Sequence, residues 1–539
     1  MKPYALLALL FCAALCAGQP PFRTGVNFPF FRPNVVSIDH YLALMEQSGA
    51  RAIRQMTFAD VHWRQVEPAD NQWNFIRSDS AFFNGRGLMP VGTLYSMMGN
   101  DTVGLQTPWL ACSNPFQCYW DPADDSVFAK EYVLTTVSRY KHVTRYWELA
   151  NEIEHALPPP GLPPGMASKR DFLRHNYRWI KAADPSAQVL LPGLVGTCCT
   201  YPMTLSFNWL RGLLAAGGGA FFDVMNYHDY NAWWTLPAHF DSVRAILQQY
   251  QLDKPIWVTE TSVSSFNTSP ITPAYSSPDE QAADVWRRYC LLWAKGAEVV
   301  LWHTGWSNGD LNGWGEFGLL DVQGRKKKSF HAYRLLNERL GGFSAVSLER
   351  HGHITDNNTA GGAGVWAVRF GVNGRNKWVL WSPDRQPYVL QGIQSQRILV
   401  TTAVPVALFS NGDSAVFQVR TYDVAGGVHL FSDLTQIPVL VEEIGPVAVE
   451  EQATVSGIWI YPNPAHAFVA LRYVPERPAP GRLTVYDALG RAVHSERIAE
   501  PHPGEQQRLL DLSAWSPGFY YFQIQMDDGA SGGGVFIKK

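Results

Sequence analysis

Two short segments of this chain each end on a glutamate that is placed for acid–base chemistry. The first is Arg-Tyr-Trp-Glu-Leu-Ala-Asn-Glu, which runs from Arg145 to Glu152, and the second is Pro-Ile-Trp-Val-Thr-Glu, which ends at Glu260. Both are short apolar runs typical of buried strands, so each glutamate is expected at the carboxyl end of a strand. Two facing carboxyl groups are what retaining glycoside hydrolysis requires, because one protonates the leaving oxygen while the other attacks the anomeric carbon.

These two strands belong to a longer alternation of strands and helices. Eight candidate strands, with amphipathic helical stretches between them, cover residues 24–27, 52–56, 89–94, 144–151, 188–192, 222–227, 255–260 and 298–303. This alternation favours an α/β fold, a (β/α)8 TIM barrel, which we expect over residues 19–341. A doubly wound sheet is the alternative, although no glycine-rich phosphate loop follows the first strand. In a barrel, strands four and seven face each other across the mouth that the carboxyl strand ends form.

The segment from about residue 23 to 341 resembles glycoside hydrolase clan A, with families 39 and 5 among its members. The clan signature is an Asn-Glu pair that ends strand four and a Glu that ends strand seven; here these are Asn151-Glu152 and Glu260. The resemblance implies that Glu152 is the acid/base, Glu260 the nucleophile and Asn151 a hydrogen-bond partner of the sugar 2-hydroxyl. Many clan members have Pro after the first Glu, whereas Ile153 follows it here.

Three further residues match positions that the clan uses. Arg54, on strand two, is expected to keep the nucleophile carboxylate ionised through a charge-assisted hydrogen bond. The His228-Asp-Tyr230 run after strand six resembles the clan's His-x-Tyr, which implies that Tyr230 donates to Glu260 and that His228 lies near Glu152. Taken singly, Arg54 could be a buried ion-pair partner, and the histidine and tyrosine could be ordinary polar residues at a strand end.

Other residues admit two interpretations. Trp302, on strand eight, resembles the aromatic floor beneath the cleaved sugar. Four more tryptophans, in the loops after strands six and eight, are either sugar platforms or loop anchors: Trp233, Trp234, Trp306 and Trp314.

Glu148 is the rival of Glu152 for the acid role. It lies four residues earlier, so the two-residue period of a strand places both on one face, with Glu148 deeper in the barrel. We therefore predict that Glu148 is a buried structural carboxylate that needs a cation such as Arg54. Glu154 and Glu67 are interpreted as loop residues.

The residues after 341 follow a different sequence pattern. Residues 342–450 contain short β-branched runs separated by Gly, Asn and Asp turns, which predicts a small antiparallel β-sandwich. Residues 451–539 are expected to form a second all-β domain. Within it, residues 458–539 resemble the type A C-terminal sorting domain of the type IX secretion system of Bacteroidetes-like bacteria. The matching motifs are Tyr-Pro-Asn-Pro at 461–464, Leu-Thr-Val-Tyr-Asp-Ala-Leu-Gly at 483–490, Gly-Phe-Tyr-Tyr at 518–521 and the terminal Phe-Ile-Lys-Lys.

The amino terminus predicts export. Lys2 is followed by a short apolar run at 5–17 and by small residues, so residues 1–18 are expected to be a signal peptide. No later apolar run is long enough for a transmembrane segment. Together with the sorting tail, this implies a secreted or cell-surface protein whose partner is the type IX secretion machinery.

Export places the cysteines in an oxidising compartment. There Cys112 and Cys118 are a plausible disulfide, whereas the pairing of Cys198, Cys199 and Cys290 stays open.

Composition and motifs together point to one function. The near balance of 44 basic and 47 acidic residues argues against a nucleic-acid binder. We expect a retaining glycoside hydrolase that cleaves O-glycosidic bonds in a polysaccharide or oligosaccharide with two carboxylates, without a cofactor, and no Cys/His spacing resembles a zinc site. The alternatives are a carbohydrate-binding surface protein on an inactive barrel and a transglycosidase that uses the same residues. The sugar and linkage, the choice between endo and exo action and the role of the β-sandwich stay open.

Overall fold

A computed structural model of the 539-residue chain shows two compact units, the first ending at Ile444 and the second comprising the described residues from Val455 onward. The structure describes residues 23–28, 38–54, 63–69, 71–76, 79, 87–94, 126–155, 166–195, 203–266, 277–307, 316–354, 362–409, 412–444, 455–475, 479–487, 491–499, 504, 506–528 and 531–539. The predicted signal peptide, Cys112, Cys118, Cys198, Cys199 and Trp314 lie outside these residues. Cys290 is buried with a free thiol. None of the helices in the described part of the chain is long and apolar enough to cross a bilayer.

The first unit begins with eight parallel strands. They are β1 Thr24–Asn27, β2 Ala52–Arg54, β3 Met89–Leu94, β4 Tyr146–Leu149, β5 Gln188–Leu190, β6 Met225–His228, β7 Ile256–Thr261 and β8 Val299–Trp302. The order in the sheet is β5-β4-β3-β2-β1-β8-β7-β6, and isolated parallel bridges join Leu190 to Val224 and Leu194 to Tyr227. The ring is thus nearly closed, which confirms the predicted barrel. The pairing of β1 with both β2 and β8 excludes the doubly wound alternative.

Helices surround the barrel. They are α1 Ile38–Gln47, α2 Trp63–Val66, α3 Ser126–Tyr140, α4 Met166–Ala183, α5 Met203–Ala215, α6 Leu236–Gln249, α7 Pro278–Lys295 and α8 Lys328–Leu340. The ends of α7 show why the chain is helical there. The Ser277 side chain accepts a hydrogen bond from the Glu280 amide, Pro278 occupies the first turn, and Gly296 ends the helix at a φ of 98°.

The strands alternate between two environments. One set of side chains forms the apolar barrel interior, and the set between them packs under the helices, as the two-residue period requires. The interior cluster consists of Ala52, Val91, Tyr146, Leu190, Val224, Trp257, Val299 and Leu301. Toward the carboxyl strand ends the same inward positions become polar yet stay buried, at Asn27, Arg54, Thr93, Glu148, Asn226 and Thr259. The barrel therefore has an apolar floor and a polar mouth.

Antiparallel strands follow the barrel. They are β9 Ala345–Arg350, β10 Trp366–Val372, β11 Arg375–Trp381, β12 Tyr388–Gln391, β13 Arg397–Thr402, β14 Ala407–Phe409, β15 Ser414–Val416, β16 Val419–Asp423, β17 Val428–Phe431 and β18 Val439–Ile444. Six of them form a sheet in the order β16-β13-β18-β11-β10-β9, and β12–β17 and β14–β15 form separate pairs. Apolar side chains of the six-stranded sheet pack against those of the β12–β17 pair.

Trp233 joins the barrel to this β region. It is buried, and its ring meets Trp366 and Trp381 edge-on at centroid distances of 5.1 and 5.8 Å. The Arg287 guanidinium lies 5.2 Å from the Trp233 ring and donates a hydrogen bond to the carbonyl of Gln436. Trp233 is therefore an anchor, not a sugar platform. Trp306 is also buried, which excludes it from sugar stacking.

The second unit contains two antiparallel sheets. Its strands are β19 Val455–Tyr461, β20 Phe468–Pro475, β21 Gly481–Asp487, β22 Ala492–Ile498, β23 Gln506–Asp511, β24 Gly518–Met526 and β25 Ser531–Lys538, in the orders β19-β20-β23 and β22-β21-β24-β25. Asn463, in the Tyr-Pro-Asn-Pro motif, donates to the Val535 carbonyl at 3.3 Å and accepts from the Ile537 amide at 3.0 Å. The Tyr-Pro-Asn-Pro motif is thus hydrogen-bonded to β25, the strand that contains most of the terminal Phe-Ile-Lys-Lys motif, 72 residues or more away.

We predict that Trp233→Ala lowers the free energy of unfolding of the first unit by about 3–5 kcal/mol, because it removes a fully packed ring between the barrel and the β region. Trp234→Ala is the matched control, since this neighbouring ring is only partly buried. Urea denaturation followed by circular dichroism measures both. Equal losses in the two variants would contradict the anchor role of Trp233.

Candidate active site

Arg54, the last residue of β2, is the centre of the polar mouth. Its buried guanidinium binds Glu148 through Nε and through Nη2, the latter at 2.9 Å from Oε1. Nη1 donates to Glu260 Oε1 at 2.6 Å, and Nη2 donates to Asn151 Oδ1 at 2.7 Å. One cation therefore holds two carboxylates and an amide that come from two distant segments, one at the end of β4 and one at the end of β7.

Glu148 is saturated by these contacts. It is fully buried, and besides Arg54 it accepts hydrogen bonds from the Gly193 amide and from Asn226 Nδ2, both at 2.9 Å. A carboxylate with a bidentate guanidinium and two more donors has no capacity left to deliver a proton. The geometry thus matches the structural role that its depth in the barrel predicts.

Glu260, near the end of β7, binds the third nitrogen of the same guanidinium. Oε1 accepts from Arg54, and Oε2 accepts from the hydroxyl of Tyr230. The ring nitrogens of His303 and His228 lie 3.4 and 3.7 Å from its oxygens. Burial by itself would raise the pKa of Glu260, but the opposing attraction of the histidines and Arg54, with the Tyr230 hydrogen bond, lowers it. Burial also lowers the pKa of His228 and of His303 to about 4, so near neutral pH both rings are uncharged and Arg54 is the cation that remains.

Glu152 occupies a different environment. It follows β4 in a left-handed backbone conformation, at a φ of 47°, and its amide donates to the Gly193 carbonyl at 3.0 Å. Its side chain is 21% exposed, and Oε1 lies 2.8 Å from His228 Nδ1. Non-glycine residues at positive φ are costly and concentrate at functional sites. Side-chain atoms of Glu152, His228 and Glu260 all lie within 4.8 Å of one another.

Gly193 provides the space for this arrangement. A Cβ atom at this position would lie 2.0 Å from His228 Nε2, so the imidazole occupies the volume that any larger residue would need. The same glycine offers its amide to Glu148 and its carbonyl to Glu152. The backbone after β5 therefore positions both the buried Glu148 and the partly exposed Glu152.

Arg288, on α7, fixes the loop that carries Tyr230. Its buried guanidinium donates to the carbonyls of Asp229 and Asn231 at 3.2 and 2.6 Å, and to Thr261 Oγ1 at 3.0 Å. These contacts enclose Tyr230 on both sides and reach the residue after Glu260. Arg288 is not among the residues predicted from the sequence. The signal in the sequence is the pair Arg287-Arg288 in the middle of a predicted amphipathic helix.

The aromatic floor expected at Trp302 is not found at that position. Trp302 is fully buried, lies with Val300 under the helices, and donates its indole N–H to the Phe317 carbonyl at 2.9 Å. His303, the next residue, points into the barrel mouth. Strand alternation was the signal that could have found it, because Leu301 faces the barrel interior. Asn27 was also missed; its Nδ2 lies 3.0 Å from the Thr259 carbonyl and 3.2 Å from His303 Nδ1.

Glu154 and Glu67 are more deeply buried than loop residues usually are. Glu154 accepts hydrogen bonds from the Val195 amide and from Ser206 Oγ, and burial raises its pKa to about 8. Near neutral pH it is therefore a neutral acid. Glu67 accepts from the Trp63 indole at 2.6 Å and ties its own loop together.

The spacing of Glu152, His228 and Glu260 could also admit a cation. Both oxygens of Glu260 are already hydrogen-bonded, to Arg54 and to Tyr230. A metal ion would have to displace one of these donors and sit beside a guanidinium charge. The arrangement suits proton and carboxylate chemistry better than metal binding.

Comparisons with known proteins found similarities for the C-terminal tail and for the fold of the chain. Residues 459–538 match the family of secretion system C-terminal sorting domains, so the tail is a type IX sorting domain. The chain is similar in structure to a family 39 glycoside hydrolase from Bacteroides cellulosilyticus WH2, at 17% identity and a TM-score of 0.55, over 79% of this chain and 81% of that one. It is also similar to the GH39 enzyme from Xanthomonas axonopodis pv. citri, at 16% identity and a TM-score of 0.52, over 79% and 95% of the two chains. These likenesses establish the fold. The sequence matches no curated protein.

Acid should destabilise the first unit in two stages. His228 and His303 have a pKa lowered from 6.5 to about 4, so the unfolded chain takes up their protons first and stability falls between those values. Glu154, whose pKa is raised to about 8, takes up its proton first in the folded state and offsets part of this loss. The lowered pKa of Glu260 adds a second loss, which begins below about pH 4.5 as the unfolded chain protonates this carboxyl first. Glu260→Gln should flatten the second stage, and should keep the fall that begins near pH 6.5, in urea midpoints measured from pH 7 to pH 3. An unchanged slope below pH 4.5 would contradict the ionised state of Glu260.

Proposed function

We propose that the barrel is a retaining glycoside hydrolase that cleaves O-glycosidic bonds in a polysaccharide or oligosaccharide by double displacement. The observation that carries this proposal is the pair Glu152 and Glu260, with carboxylate oxygens within 4.8 Å of each other at the ends of β4 and β7. Retaining enzymes need a short separation of about 5–5.5 Å between the carboxyl groups, whereas inverting enzymes leave about 6.5–9.5 Å for a water molecule.

Glu260 is the nucleophile in this proposal. It has to be ionised when the substrate binds, and the hydrogen bonds from Arg54 and Tyr230 favour the charged form. The same two contacts fix the orientation of the carboxylate. One oxygen can then attack the anomeric carbon, and the covalent glycosyl-enzyme forms as the leaving oxygen departs.

Glu152 is the acid in the first step and the base in the second. Its partial exposure places it on the substrate side of Glu260, and its contact with His228 orients it. It donates a proton to the leaving oxygen, then accepts one from the water that releases the sugar from Glu260. Asn151 accepts a hydrogen bond from Arg54 through Oδ1, so its NH₂ group is turned away and can donate to the sugar 2-hydroxyl.

Leaving groups should separate the roles of the two glutamates. We predict that Glu260→Ala loses turnover on every glycoside, because no covalent intermediate can form. Glu152→Ala should be impaired by about 10²–10⁴-fold on glycosides with poor leaving groups, but much less in the first step with a dinitrophenyl glycoside, which departs without protonation. Azide should then rescue Glu152→Ala with retention of configuration and Glu260→Ala with inversion.

Glu154→Gln is the matched control for this experiment, because it replaces a neutral buried acid by its neutral isostere next to the active pair. It should keep the wild-type dependence on the leaving group. Equal losses for Glu152→Ala and Glu260→Ala on all substrates, with no effect of azide, would contradict the assignment. Binding of oligosaccharides without turnover by the wild type would favour the binding-protein alternative, and transfer to added sugar acceptors would favour a transglycosidase.

The sorting tail supports a location outside the cell or on its surface. We propose that residues 1–18 first direct the chain through the inner membrane and that the tail then directs passage through the type IX machinery. Deletion of residues 458–539 should leave the protein in the periplasm, as cell fractionation and surface proteolysis can measure. Surface display that is intact after the deletion would contradict the role of the tail.

A further inference from the structure

A continuous chain of hydrogen bonds leads from Arg54 to Glu152. Arg54 binds Glu148, and Asn226 Nδ2 lies 2.9 Å from Glu148 Oε1. Thr259 Oγ1 lies 2.8 Å from Asn226 Oδ1 and 3.2 Å from His228 Nε2, and the other ring nitrogen of the histidine meets Glu152 at 2.8 Å. Thr259, Asn226, Glu148 and the imidazole are all fully buried, so water does not compete for these contacts.

The direction of the first bonds is set by Glu148. This carboxylate faces both nitrogens of a bidentate guanidinium and the Gly193 amide, which can only donate, so its two oxygens act as acceptors. Asn226 must therefore turn its NH₂ group toward Glu148, which leaves its oxygen facing Thr259. The hydroxyl proton of Thr259 then has to point to the Asn226 oxygen.

The direction of the remaining bonds follows. Thr259 has used its only proton, so it can only accept from His228 Nε2, and Glu260 Oε1, 3.7 Å from the same nitrogen, is also an acceptor. Nε2 therefore carries the hydrogen. A neutral imidazole has one donor and one acceptor, so Nδ1 is the acceptor and Glu152 must be the donor. The opposite tautomer would place a bare Nε2 against two oxygen atoms.

We propose that Thr259 and Asn226 are positioning residues that keep the transferable proton on Glu152 in the resting site. This inference rests on the proposed function, because only there does Glu152 act as an acid. Neither residue touches the substrate; both act through the tautomer of His228.

The same tautomer of His228, with the hydrogen on Nε2, suits both chemical steps. When Glu152 has given its proton to the leaving oxygen, its carboxylate faces the lone pair of His228 Nδ1, which raises its proton affinity. In the second step water attacks the anomeric carbon, its proton goes to Glu152, and the bonding electrons of the glycosyl ester return to Glu260. Glu152 is then protonated again, and every hydrogen bond between Arg54 and His228 has kept the same donor and acceptor.

The pH at which Glu152 loses its proton should depend on this series of hydrogen bonds. Among the residues that the structure describes, the titratable groups around it are His228 on β6, Tyr230 after β6, Glu260 on β7 and Glu154 on the same turn; His228 also faces Arg54 and Glu148. In Thr259→Val, Nε2 loses its hydrogen-bonded acceptor and keeps only Glu260 Oε1, 3.7 Å away, so the other tautomer becomes accessible and donates to an ionised Glu152. The alkaline limb of kcat/KM should therefore move to lower pH by about one unit.

Two variants control this experiment. Thr259→Ser keeps the hydroxyl, so the alkaline limb of its kcat/KM profile should lie at the wild-type pH. Thr144→Val removes another buried threonine hydroxyl, which lies two residues before β4 and donates to the Pro90 carbonyl of β3; it should also leave the alkaline limb at its wild-type pH. A wild-type limb in Thr259→Val, or an equal shift in Thr144→Val, would overturn the proposal.

An infrared measurement separates this proposal from the proposed function. Isotope-edited difference spectra of the wild type against Glu152→Gln should show a protonated carboxyl at neutral pH that disappears on alkaline titration. This test needs no turnover, and it does not require Thr259→Val to fold. Absence of the band at neutral pH would overturn the proposal even in an active enzyme, whereas its presence in a protein without turnover would refute only the glycosidase function.

Discussion

The guanidinium of Arg54 is the interaction on which the polar mouth depends. It is fully buried and binds Glu148, Glu260 and Asn151 at once. Buried charges are tolerated only when they are paired and hydrogen-bonded, and removal of one partner leaves the other uncompensated, at a typical cost of about 3–5 kcal/mol. Two carboxylates could not remain ionised at this depth in the barrel without the arginine. Their positions, and those of the groups they hold, therefore follow from where β2 places this one side chain.

The environment gives glutamates of identical chemistry different roles. Glu148 receives four donated hydrogen bonds in the barrel interior, Glu260 receives an arginine and a tyrosine at the inner edge of the mouth, and Glu152 is partly exposed beside a neutral histidine. The number of donors and the access of water decide which carboxyl is ionised. Two carboxyl groups in contrasting environments are the arrangement by which known glycosidases separate acid from nucleophile.

The outer layers of the first unit hold this arrangement in place. Arg288 attaches the loop of Tyr230 and the end of β7 to α7, and its neighbour Arg287 lies against Trp233, where the barrel meets the β region. One buried turn of α7 thus connects the mouth to the packing between barrel and β strands. This connection supports a structural role for the β region beside the barrel.

The sequence by itself determined the barrel, because the alternation of short apolar strands with amphipathic helices is a local pattern. All eight strands lie within a few residues of their predicted positions, and the same pattern places Glu152 and Glu260 at strand ends. Only the tertiary structure decided which neighbouring residue faces the mouth, how deeply Glu154 is buried and that Arg288 reaches the Tyr230 loop. At the end of β8 the resemblance pointed to Trp302, whereas the strand parity turns His303 inward. These features depend on contacts between residues far apart in the chain, and the direction of a hydrogen bond depends on every partner along its path, so neither can be derived from a local pattern.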